Sequence, residues 1–68
     1  MRKEYALEVR TKEEESHFLY QIDVFRFLVD AEMAMDEYKN ELKEDEQFDI
    51  RCIEYDDDDN EISCYSVF

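Results

Sequence analysis

Apolar and polar positions alternate at both ends of this chain and follow helical spacing in its middle. Tyr5, Leu7 and Val9 alternate with Ala6, Glu8 and Arg10, the period-two pattern of a strand with one buried face. Phe48, Ile50 and Cys52 repeat the pattern against Asp49, Arg51 and Ile53. The chain then turns through Asp56–Asn60 and returns along Ile62, Cys64, Tyr65, Val67 and Phe68, which predicts an antiparallel hairpin with an acidic tip. With no Gly and no Pro in the sequence, left-handed turn backbone falls to Asp and Asn.

Between these runs, Val24, Leu28, Ala31, Met35, Tyr38 and Leu42 are spaced 4, 3, 4, 3, 4, as on one face of a helix. Lys39 and Lys43 lie near the end of the row, where cations complement the helix dipole. Residues 17–24 satisfy two templates. Phe18, Tyr20, Ile22 and Val24 alternate like a strand, whereas Phe18, Ile22, Phe25, Val29 and Met33 recur like a helix face. No turn residue separates Ser16 from Val24, and Thr11 with Glu14 fits a capping box. These features favour one helix from Lys12 to Lys43. The competing reading is a hairpin of strands near 4–10 and 17–23 ahead of a shorter helix. A helix of about 32 residues would be about 48 Å long and would overshoot any strand here. The expected fold is α+β in a single domain, 1–68: one long helix packed on a small antiparallel sheet in the order β-α-β-β, with ββαββ as the alternative.

On the long-helix reading the two apolar rows lie on nearly opposite sides of the cylinder. A small sheet covers only one of them. The other row, Phe18, Ile22, Phe25, Val29 and Met33, is expected to meet its copy in a homodimer about a two-fold axis. If 17–24 is a strand, most of this problem disappears.

Charge changes the picture. There are 21 Asp and Glu against 8 Lys and Arg, for a net charge of −13 in 68 residues. Positions 1–12 are net basic, and everything after Lys12 carries a net −15. Self-repulsion opposes compaction at this density, so the acid is expected to serve a basic partner. Yet 44% of residues are apolar, with five Phe and five Tyr, too many for a disordered acidic tail. A chain this short buries only about 60% of its unfolded surface, so it is expected to gain stability by associating. No run reaches the roughly 18 apolar residues of a membrane span, and the N-terminus lacks a signal-peptide pattern, so a cytoplasmic protein is expected. Without Gly there is no phosphate-cradling loop of either nucleotide-binding kind.

The candidate partner-binding acids are Asp23, Asp30, Glu37, Glu41, Glu44, Asp45 and Glu46 along the helix and its end, with Asp56, Asp57, Asp58, Asp59 and Glu61 at the hairpin tip. Asp23, Asp30 and Glu37 would recur every two helical turns, about 10.5 Å apart. That alone is too sparse to copy duplex DNA, which carries a charge about every 1.7 Å. Such a stripe taken alone is ordinarily just a solvated helix face. In an EF-hand frame Asp56, Asp58 and Asn60 fill three ligand positions, but Glu61 replaces the required Gly and Val67 the closing acid, so no metal site is expected. Cys52 and Cys64 could face each other across a turn centred on Asp58, although in a cytosolic chain two reduced, buried thiols are expected. His17, the only histidine, sits beside Glu13–Glu15, and nothing brings it to a cysteine. No catalysis and no cofactor are expected. On the even-face-in reading, Arg51, Ile53, Tyr55, Tyr65 and Val67 form the outward face of the hairpin.

In size, acidity and lack of a catalytic signature the chain resembles the small DNA-mimic proteins that bacteriophages direct against host factors. The resemblance is one of class. It covers composition over the whole chain, rests on no motif and transfers no functional residue. It implies an inhibitor whose carboxylates stand in for phosphates in the cationic groove of a DNA-binding protein, in the host cytoplasm if phage-encoded. Targets in that class include HU-type nucleoid proteins, restriction and CRISPR effectors and repair enzymes. Direct nucleic-acid binding and membrane association are not expected. The alternative is a small adaptor or antitoxin-like partner recognised through an apolar helix face.

Overall fold

The structure, a computed structural model, describes residues 2–67. Its elements follow in the order ββαββ: β1 (Arg2–Thr11), β2 (Phe18–Phe25), α1 (Leu28–Tyr38), β3 (Glu46–Tyr55) and β4 (Glu61–Ser66). A single 3-10 turn, Lys39–Glu41, extends the helix. The strands form one antiparallel sheet in the order β2-β1-β3-β4. The α+β class holds, in its ββαββ form.

The helix does not run from Lys12 to Lys43. Residues 18–25 form a strand, and Lys12–His17 is the loop before it. Aromatic and β-branched residues dominate Phe18–Phe25 and suit a pleated surface. A strand here also pairs the edge of β1 that a helix would leave with open backbone donors and acceptors. The missing turn residue is replaced by hydrogen bonds. Thr11 N–H donates to the His17 carbonyl at 2.9 Å, and His17 N–H donates to Thr11 Oγ1 at 3.0 Å. Arg10 closes the loop, donating to Ser16 Oγ at 3.1 Å and to the Ser16 carbonyl at 3.2 Å. Thr11 thus serves a hairpin loop, not a capping box with Glu14.

The core lies between α1 and one face of the sheet. Leu7 pairs with Ile50 and Val9 with Phe48 across the central strands, and all four are buried. From the helix only Ala31 and Ala34 are fully buried. Two alanines let the helix backbone approach the sheet closely, so the larger Leu28 and Met35 pack at the margins with Ile22, Phe25 and Leu42.

In the second hairpin β3 presents Phe48, Ile50 and Cys52 to the core, as the alternation predicts. The register is one residue from the one that would join the cysteines. Cys52 pairs with Tyr65 and Ile53 with Cys64. Successive side chains alternate between faces, so the two thiols lie on opposite sides of the sheet and both are free. For the same reason Tyr65, and Val67 two residues on, share the face of Cys52 and not the outward face of Arg51 and Ile53. In the turn, Asp59 takes φ 63°, the left-handed conformation expected of Asp or Asn.

Candidate acidic interface

The register of β1 against β3 assembles one acidic end of the molecule. Thr11 pairs with Glu46, and Lys12 N–H donates to the Asp45 carbonyl at 2.9 Å. Glu46 secures the corner by accepting from Lys43 N–H at 3.0 Å. The β1–β2 loop and the corner before β3 are therefore joined, and Glu13, Glu14, Glu15, Glu44 and Asp45 are all exposed there. Lys12, Lys43 and His17, which lies 3.9 Å from Glu13, are the cationic or titratable neighbours along these two segments. Glu13–Glu15 are missing from the candidates read from the sequence, because a capping-box reading spends them on a helix dipole. Only the pairing of residues 35 positions apart puts them beside Glu44 and Asp45.

The Asp56–Asp59 tip lies at the other end of β3. Ten strand residues separate the two ends by about 30 Å. The tip is held by its own acids. Asp56 Oδ1 accepts from Asp58 N–H and Asn60 N–H, both at 2.9 Å. Those amides, Asn60 first, hold the Asp56 carboxyl below its ordinary value of 3.8. Arg2 reaches over from β1, with 2.9 Å to Asp59, 3.3 Å to Glu4 and its guanidinium 4.6 Å from the centre of the Tyr55 ring. The tip is a clipped turn with part of its charge answered internally.

The helical acidic stripe is broken. Asp23 stands on β2, where its carboxylate accepts from Val24 N–H at 2.8 Å. Asp30 and Glu37 remain on α1, and Glu41 sits in the 3-10 turn. The expected apolar seam is likewise divided. Phe18, Ile22 and Phe25 belong to β2, with Ile22 and Phe25 packed against the core. Val29 and Met33 project from the solvent side of α1, 59% and 62% exposed. They flank Glu32, Asp36 and Glu37 around a shallow surface depression.

On the sheet face away from the helix, Glu8 is buried and pairs with Arg10 at 3.3 Å. Arg10 also holds the loop at Ser16, so this pair supports the acidic end from beneath. Among the described residues no group of three or more His, Cys, Asp or Glu is arranged to hold a metal ion, and no helix is long and apolar enough to cross a membrane.

Compared with known proteins, the chain matches no family model, no curated protein and no solved structure. The site has to be read from its own chemistry.

Proposed function

We propose that this chain is an acidic decoy that occupies the cationic nucleic-acid-binding surface of a DNA-binding protein and excludes DNA. The observation that carries the reading is the joining of Glu13–Glu15 to Glu44–Asp45 at one end of the molecule, with a second acidic group at the tip. The body measures 40 × 25 × 15 Å. A duplex 40 Å long carries about 24 phosphates. The chain offers 21 carboxylates and a net −13, about half that line charge, on a comparable length. Such a field steers a basic partner over long range and makes the complex sensitive to salt.

Self-association fits this reading through a surface other than a helix seam. β2 is an edge strand with one charged residue, Asp23, and exposed Phe18, Leu19 and Tyr20. Antiparallel pairing with a second copy would bring Glu13–Glu15 of each chain beside Arg26 of the other, and would set the two acidic ends at opposite ends of the paired strands.

A second reading is favoured by one observation, the exposure of Phe27, Val29 and Met33 beside and along α1. In that reading the chain is an adaptor gripped through its helix. One experiment separates the two. A partner captured from bacterial lysate is challenged with duplex DNA, with rising salt, and with a variant carrying Gln or Asn at Glu13, Glu14, Glu15, Glu44 and Asp45. The decoy reading expects displacement by DNA, a loss of at least about a hundredfold in affinity between roughly 50 and 200 mM salt, and failure of the variant. A complex indifferent to all three, and lost instead on Met33→Glu, belongs to the adaptor.

A further inference from the structure

At the acidic end, the sheet and the last turn of the helix separate and leave a cavity of about 260 Å³. The divergence follows from packing. Ala31 and Ala34 hold the body of α1 against the sheet, while Tyr38 at its last position and Leu42 just past the 3-10 turn carry bulk that does not allow so close an approach. The floor is Val9 and Phe48, 0% and 9% exposed, with Ile22 and Leu42 as further apolar wall. Tyr20 and Tyr38, 46% and 40% exposed, stand at the rim beside Glu41.

Three aromatic residues and one carboxylate around an apolar hole are the chemistry that holds an organic ammonium ion. Aromatic faces attract a cation through their quadrupole, the apolar floor and walls take its carbon stem, and the carboxylate matches its charge. The volume is below the roughly 300–1,000 Å³ of a drug-sized site, so it suits one side chain and not a nucleotide. Surrounding charge favours the same guest. The cavity lies two rungs along the sheet from the Thr11–Glu46 pair that opens the acidic end. On the adjoining helix turn the ammonium of Lys39 is engaged by Asp36 at 2.9 Å.

We propose that this cavity binds an alkylammonium cation, delivered as a lysine side chain of the basic partner. The proposal rests on the acidic-end reading for the source of the cation, but its test needs no partner. The full chain is titrated with n-butylammonium, choline and 1-butanol, following the ring protons of Tyr20 and Tyr38 by NMR. n-Butylammonium is expected to shift both rings saturably and to bind at least about tenfold more tightly than 1-butanol, its neutral counterpart. Glu41→Gln is expected to weaken the ammonium several-fold and leave 1-butanol unchanged. Leu42→Trp, which fills the hole, should abolish binding of all three while circular dichroism stays native.

Equal binding of alcohol and ammonium overturns the proposal, as does a Tyr55 response matching those of Tyr20 and Tyr38, which marks diffuse attraction to an acidic protein. Tighter binding of choline than of n-butylammonium overturns the assignment to a protein side chain. None of these results bears on DNA displacement, so the two proposals fail separately.

Discussion

The Arg2 guanidinium lies 2.9 Å from a carboxylate oxygen of Asp59, and so ties the start of β1 to the left-handed corner of the β3–β4 turn. Both side chains are well exposed, at 43% and 70%, so the pair contributes at most about 1 kcal/mol. The backbone requirement at this corner is independent of the charge. Asp59→Gly relieves the left-handed φ while losing the ion pair, and its stability should stay within about 1 kcal/mol of the parent. Asp59→Val forces a β-branched residue into the same conformation and should cost about 1–2 kcal/mol. Urea unfolding of the two variants checks the order.

A second relationship involves protons. The Tyr65 hydroxyl donates to Glu54 Oε1 at 2.9 Å and lies beside the Cys52 thiol. Cys52 first and Glu54 second push its pKa well above the ordinary 10.0. With the folded value raised, the contribution to stability is complete below pH 10.0 and is lost as pH rises through the raised value. In an ultraviolet absorbance titration Tyr65 should contribute a component above the ordinary tyrosine range, and Tyr65→Phe should remove it. A titration curve whose late part is unchanged by Tyr65→Phe contradicts the contact.

The one-residue offset between the cysteines makes them chemically unequal. Cys52 is 1% exposed, whereas Cys64 is exposed and its sulfur accepts from Arg51 Nε at 3.3 Å. A thiol reagent should therefore modify Cys64 in the native protein and reach Cys52 only on unfolding. Mild oxidation should give cross-linked pairs of chains through Cys64, with no internal bridge, as read by mass under non-reducing conditions.

The close approach of helix and sheet depends on small residues. Ala31 is 0% exposed and has no room for a larger side chain. Ala31→Leu should overpack the contact and cost about 1–3 kcal/mol. Met33→Leu, on the exposed side of the same helix, should be nearly neutral. Thermal melts of the pair test whether α1 lies on the face described.

Self-association through β2 predicts a dimer at micromolar concentration by light scattering. Phe18→Lys puts a charge on the edge strand and should shift the chain to monomer without unfolding it. A parent chain that is already monomeric removes this part of the functional proposal.

Local alternation was enough to reveal β1, β3, β4 and the Asp-rich turn, because a period of two marks a strand whatever it pairs with. The helical row was legible by its own spacing of three and four from Leu28 to Tyr38, whereas its end members Val24 and Leu42 lie on β2 and past the 3-10 turn. Total charge was also plain from composition. Residues 18–25 met both periodicities, and the choice was made by the open edge of β1, whose backbone groups needed partners. Tertiary pairing also decided the things that bear most on function. The Thr11–Glu46 register gathered acids from two distant segments, the one-residue offset in β3–β4 separated the cysteines, and the bulk of Tyr38 and Leu42 beyond two alanines opened the cavity. Each depends on which residues meet across space, and a contact between distant positions leaves no periodic trace in either segment.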